Sequence, residues 1–238
     1  MPLTIVLAGQ KGGVGKSTVA VCLAAEAIGR SLKVLLVDAD PQGTARTWAE
    51  VATEAGRPAP SIVAMGATMH RDRQLRDIGA PFDLVLIDCP PRLGDIQRSA
   101  LMVADIVLVP CGPAAAEAWA LASSLELITE ARTIRPELAA YILITRTQRR
   151  TSIAKSAREV LEPSGLPVLH TELGYRVAYQ EALATGQGVT TYAARDPAAA
   201  EVKALLDEVL VIAEKSHGQD HPQAAAKKAP RASTRRRA

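Results

Sequence analysis

The sequence predicts an α/β fold: a doubly wound, mostly parallel sheet with helices on both faces. Three observations carry that expectation. Short apolar runs of strand length recur along the chain and alternate with segments of helix length. The runs are nearly continuous in Val, Ile and Leu, as strands covered on both faces require, rather than apolar on alternate positions only. The first run passes through a Gly-rich turn directly into a helical pattern, which is the opening strand, loop and helix of such a sheet.

Residues 3–8 read as the first buried strand and residues 17–30 as the first helix. Further strands are expected at 33–37, 61–65, 82–87, 105–109, 139–145 and 167–171, each bounded by polar or turn-forming residues. Helices are expected at 45–55, 95–104, 114–132, 152–162, 176–185 and 197–215, several of them flanked by Gly or Pro. The stretch from 56 to 81 is the least regular part of the body. After residue 215 the chain turns to His, Gln, Pro, Ala, Lys and Arg with no apolar period, too little apolar surface to offset the entropy of ordering. The expected organisation is one domain over 1–215 and a disordered basic tail over 216–238.

Composition narrows the class. At 238 residues and 48% apolar content the chain can bury one substantial core, and at 3% aromatic content that core must be aliphatic. No apolar run reaches the roughly 18 residues of a bilayer span, and no signal-peptide pattern opens the chain, so a cytoplasmic protein is expected. Cys22, Cys89 and Cys111 are odd in number, far apart and in apolar surroundings, which suits buried reduced thiols better than a disulfide or a metal site. The net charge of +3 divides unevenly: the tail carries six basic residues against Asp220, which leaves the body at −2.

The first strand and first helix are joined by Gln10-Lys11-Gly12-Gly13-Val14-Gly15-Lys16-Ser17-Thr18. Backbone amides at a helix start, together with the helix dipole, favour phosphate, and the glycines let the loop wrap close to its oxygens. Lys16 is placed to offset charge on the terminal phosphates, Ser17 to ligate magnesium and Thr18 to reach the α-phosphate. The ordinary loop opens on a Gly separated by four residues from Gly-Lys. Here that place is Gln10, followed by Lys11 and two glycines.

Acids follow where a phosphate site needs them. Residues 35–42 place Asp38 and Asp40-Pro41 just past the second strand, on the edge of a parallel sheet where the loop lies. Residues 82–91 form an apolar strand ending in Asp88, the position from which a carboxylate binds magnesium through water. Asp83 stands roughly 16 Å away at the other end of that strand, too far to share an ion, and reads as structural.

The segment Lys11 to Ser17, the Asp38-Ala39-Asp40-Pro41-Gln42 stretch and the Asp88 strand with Pro90-Pro91-Arg92-Leu93-Gly94 together resemble the ParA/MinD family of deviant Walker-A ATPases. The resemblance runs through Val107-Leu108-Val109-Pro110 and Ile144-Thr145-Arg146, covers nearly all of 3–214, and is nearest to the small ParA-type partition ATPases. It implies a phosphate-loop fold that binds ATP and Mg2+ and hydrolyses ATP slowly until a partner acts. It implies that Lys11 reaches across an ATP-dependent homodimer to the nucleotide of the second subunit. Asp38 would orient the attacking water and face the metal, Asp40 would hold the switch beside the metal, and Thr145 and Arg146 would border adenine.

Such proteins bind nonspecific DNA as ATP dimers and are released by a ParB-like or other adaptor, so the ATP form is expected on the nucleoid. Candidate DNA residues are Arg146, Arg149, Arg150, Lys155, Arg158 and Arg176 in the body and Arg235, Arg236 and Arg237 in the tail, where clustered positive charge favours a duplex without reading bases. The alternative is a MinD-like membrane-cycling ATPase. That reading wants a basic amphipathic C-terminal helix, whereas Glu201, Asp207, Glu208 and Glu214 make the last helix acidic.

Overall fold

The structure is a computed structural model that describes residues 1–92, 94–148 and 151–216. In chain order, β1 (Leu3–Leu7), α1 (Lys16–Gly29), β2 (Val34–Asp38), α2 (Thr44–Glu54), β3 (Ser61–Ala64), α3 (Gln74–Gly79), β4 (Leu84–Asp88) and α4 (Gly94–Leu101) make the first half. The second half holds β5 (Ile106–Cys111), α5 (Ala115–Trp119), α6 (Ala122–Ile134), β6 (Ala139–Ile144), α7 (Ser152–Leu161), α8 (Val177–Ala184), α9 (Val189–Tyr192) and α10 (Pro197–Ser216). The strands form one sheet in the order β3-β2-β4-β1-β5-β6, and every pairing is parallel.

The unbroken apolar strands have the expected cause. In β1, Ile5 and Leu7 join the core on one face while Val6 joins the core on the other. β4 divides in the same way, with Leu84 and Leu86 on the first face and Val85 and Ile87 on the second. The first face is covered by α1, α2, α8, α9 and α10, and the second by α3, α4, α6 and α7. With both faces dry, a polar side chain in these central strands would need a partner, so β1 and β4 are apolar toward both faces rather than on alternate positions.

Two expectations are corrected. Residues 167–171 do not form a seventh strand; a single parallel bridge joins Val168 to Ile142. Pro167 has no amide to donate, and the carbonyls of Val168 and Leu169 accept from the Arg158 guanidinium, so the outer edge is closed by a side chain rather than a ladder. The helix expected over 114–132 bends at Ala120 and Leu121 into α5 and α6, which buries Leu121 and leaves Trp119 77% exposed. The irregular stretch after β3 holds a turn of 3-10 helix at Arg71–Arg73 and then α3.

Short α9 was not legible as a separate helix. It follows Gly186, whose φ of 67° and close approach to α2 exclude a side chain, since a Cβ there would lie 2.4 Å from the Ala52 amide nitrogen. Asp83 is structural as expected, accepting a hydrogen bond from the Lys33 amide at the far end of the sheet from the loop. The three cysteines are free and buried, and burial pushes the Cys22 and Cys111 thiols up to about 12. The tail from 217 onward, with Arg235, Arg236 and Arg237, lies outside the described residues, as do Leu93, Arg149 and Arg150.

Candidate functional site

The sheet aligns the acids before any side chain is considered. In the parallel register Asp38 pairs with Asp88, and Asp88 with Leu7, so β1, β2 and β4 end at one level. Leu36 and Leu86, two residues earlier, both face the α1 side, and the period of two therefore sends Asp38 and Asp88 to that side as well. The loop from Ala8 to Gly15 leaves β1 between β4 and β5 and starts α1 directly above these carboxylates. This is the crevice at the carboxyl ends of the strands where open α/β sheets hold ligands.

The helix start is left open. Gly15 occupies the N-cap with φ 98° and ψ 18°, and no side chain caps the first turn of α1. Its amides are therefore available to an anion, as the sequence led one to expect. The loop is held from outside by groups remote in sequence. Thr145 donates its hydroxyl to the Val14 carbonyl at 3.0 Å, the Gln10 amide donates to the Ser124 hydroxyl at 3.2 Å, and buried Gln97 donates to the Pro90 carbonyl at 2.7 Å and the Gly9 carbonyl at 3.5 Å.

Within this cradle the charged groups differ in how well they are satisfied. Lys16 is 6% exposed and donates to the Lys11 carbonyl at 3.0 Å; burial lowers its pKa, against the pull of Asp88 and Asp40. Asp88 is fully buried, and among the described residues neither of its oxygens has a partner within hydrogen-bond geometry. Burial pushes its carboxyl up to about 7, with Asp38 and Asp40 adding to the rise while Ser17 and Lys16 pull down. An orphaned buried carboxylate is costly, and it suits a hard cation that takes one or two protein ligands and fills the rest with water and phosphate. Ser17 and Asp88 therefore fit magnesium.

Asp38, also buried, is satisfied. One oxygen accepts from the Arg46 amide at 2.9 Å and Nε at 3.4 Å, and the other from the Asp40 amide at 3.2 Å. Both oxygens expected to face the metal or the attacking water are thus engaged by Arg46 and the Asp40 amide in this arrangement. Asp40 caps its own turn, accepting from the Gln42 amide at 2.9 Å, and exposed Pro41 follows it.

Lys11 is half-exposed and forms an ion pair with Glu117 at 3.0 Å. The same carboxylate takes Arg146 Nη2 at 2.5 Å and the Gly112 amide at 2.6 Å. Burial raises the Glu117 pKa, but Lys11, the Gly112 amide and Arg146 overcome it and hold the carboxyl below the ordinary range. Arg146 sits at φ 57° and, with Thr145, borders a cavity of about 140 Å³ between Gly13–Thr18 and Leu173–Arg176. That is the side of the loop expected to take the base, although the Thr145 hydroxyl itself is engaged with Val14.

The DNA candidates separate. Arg176 is 20% exposed and pairs with Glu201 at 2.5 Å, and Arg158 binds the carbonyls of Val168 and Leu169 and the Glu172 carboxylate, so both are internal cross-links rather than free phosphate contacts. Lys155 lies in α7. Sequence reasoning missed Arg46, Gln97, Glu117 and Ser124. None stands in a motif; the only signal was a lone acid, Glu117, in an Ala-rich run beside the fifth strand.

Comparison with known proteins agrees with this geometry. Residues 5–189 match the family described as the CobQ/CobB/MinD/ParA nucleotide binding domain. The chain is similar to the "Maintenance of carboxysome distribution protein A" of Halothiobacillus neapolitanus, 32% identical over 211 residues that cover 87% of this chain and 96% of that one. It is similar to the chromosome-partitioning ATPase Soj of Thermus thermophilus, 34% identical over 240 residues that cover 87% and 94%. Among solved structures, cobyrinic acid a,c-diamide synthase of Mycobacterium smegmatis, bound to an ATP analogue and magnesium, has the same fold with a TM-score of 0.73, at 22% identity and covering 94% of this chain and 99% of that one.

Proposed function

The chain belongs to the ParA/MinD family of nucleotide-binding ATPases, and from that premise we propose that it is a dimerising switch that partitions or positions a cargo. ATP brings two copies together, the pair binds nonspecific DNA, and an adaptor protein of ParB-like role stimulates hydrolysis and releases it. The observation that carries this reading is the contrast between the loop's two lysines. Lys16 is buried under the loop, where it serves its own subunit's nucleotide, whereas Lys11 is 42% exposed by side chain and within reach of an approaching copy.

The chemistry follows from the placements. Lys16 exchanges the Lys11 carbonyl for the terminal phosphates, and the uncapped amides of α1 take the phosphate oxygens. Ser17 and Asp88 would hold magnesium, which would supply positive charge against the phosphate oxygens. Asp38, fixed by Arg46 and the Asp40 amide, orients water toward the γ-phosphate. Lys11 of each copy faces the other's triphosphate, so two acidic nucleotides can be buried face to face without net repulsion. Thr145 and Arg146 stand at the base.

The relatives' names divide between carboxysome distribution and chromosome partitioning, and both are positioning tasks on a large object. The protein is read as cytoplasmic and nucleoid-associated in its ATP form; no described helix is long and apolar enough to cross a membrane. With Arg158 and Arg176 held internally, DNA affinity is assigned to Arg149, Arg150, Lys155 and the basic tail. Gel shifts on random-sequence duplex and pelleting with anionic liposomes, each with ATP and with ADP, test the surface. ATP-dependent duplex binding is expected; ATP-dependent pelleting without duplex binding would instead favour the membrane-cycling reading.

A further inference from the structure

We propose that Glu117 is a positioning residue that holds Lys11 within its own subunit until nucleotide arrives, and so sets the ATP concentration at which two copies pair. The inference rests on the reading of Lys11 as the residue that crosses to the partner. Lys11 Nζ lies 3.0 Å from Glu117 Oε1, on a carboxylate that is only 13% exposed by side chain. A lysine so engaged is tied to its own subunit's carboxylate, which it shares with Arg146, and is not free to meet an approaching triphosphate. To serve across an interface it has to leave Glu117.

The arrangement around Glu117 keeps the cost of that departure low. Its Oε1 also accepts from Arg146 Nη2 at 2.5 Å, and its Oε2 from the Gly112 amide at 2.6 Å. When Lys11 swings away, the carboxylate keeps a guanidinium and an amide, so no unpaired charge is left behind in a mostly buried place. Lys11 in turn trades one shared carboxylate for phosphate oxygens carrying several charges. Arg146 also borders the cavity beside Gly13–Thr18, so a nucleotide seated there bears on the same carboxylate that restrains Lys11. Restraint and release thus meet in one residue, two positions before the exposed Trp119 of α5.

The test places Glu117→Gln in a chain that also carries Asp38→Ala, which slows hydrolysis, and measures mass by light scattering across an ATP titration with magnesium. The glutamine amide keeps an oxygen for Arg146 or the Gly112 amide but loses the ion pair with Lys11. The ATP concentration for half-dimerisation should fall about two- to five-fold relative to Asp38→Ala alone, the range expected of a partly exposed ion pair. A gain of this kind does not arise from structural damage. An unchanged midpoint, or a chain that binds ATP but no longer dimerises, overturns the proposal. If Glu117→Gln melts too low to assay, Glu117→Asp, with its carboxylate drawn back from Lys11, should lower the midpoint in the same direction, and no change there overturns the proposal equally. Failure of the underlying reading shows elsewhere: if Lys11→Ala dimerises like the parent, or Asp38→Ala stays monomeric at saturating ATP, both readings fall whatever Glu117 does.

Discussion

Asp38 and Asp88 are one residue type at one register position, yet the structure assigns them opposite conditions. Asp38 has both oxygens satisfied by Arg46 and Asp40, whereas among the described residues Asp88 has neither satisfied. Removing the first should leave binding intact and cost turnover: Asp38→Ala should lower single-turnover phosphate release by at least about 100-fold while nucleotide affinity changes little. Removing the second should act on stability. An acid raised in the folded state from 3.8 to about 7 holds its proton more tightly folded than unfolded, so its ionisation costs stability as pH rises through that window, and the full cost is present above it. Without nucleotide, Asp88→Asn should therefore raise the melting temperature by roughly 3–8 °C at pH 8 and hardly at all near pH 4. Magnesium with ATP should stabilise the parent and not the variant. Thermal melts at both pH values decide it, and a gain that is the same at both would refute the assignment.

Elements decide how these residues come to meet. The strands that end at Leu7, Asp38 and Asp88 were legible because burial on both faces forces unbroken apolar runs, and the loop was legible because glycines and a lysine have few other uses between a strand and a helix. The base side was not. Residues 167–171 look like a strand by composition, but Arg158 closes their edge, and α10 holds the next stretch: Glu208 accepts from the amides of His170 and Thr171, and Glu201 from the Gly174 amide, Arg176 and Tyr179. A carboxylate whose partners lie 22 to 27 residues away leaves no local pattern in sequence. Glu201→Ala should destabilise the fold by about 1–3 kcal/mol in urea unfolding. It should also weaken ATP binding by several-fold more than binding of inorganic tripolyphosphate, because Leu173–Arg176 walls the cavity and not the phosphate loop. Equal losses for the two ligands would show that α10 has no bearing on the base.

At the scale of the whole molecule, a body of net charge −2 carries a tail of +5. Two body arginines expected to meet DNA are tied to Glu172 and Glu201, a pairing that charge counts along the chain cannot reveal. Deleting 217–238 should weaken duplex binding by the ATP form and flatten its dependence on the logarithm of salt by up to about 5 for each subunit's tail. An unchanged slope would return the DNA surface to the body. The proposed switch turns on Lys11 crossing between subunits, and the measurement closest to that proposal is the mass of the Asp38→Ala protein in saturating ATP and magnesium, with and without Lys11→Ala. Twice the 25.1 kDa of one chain is predicted with Lys11 present and a single chain without it; a dimer in both, or a monomer in both, would contradict the crossing.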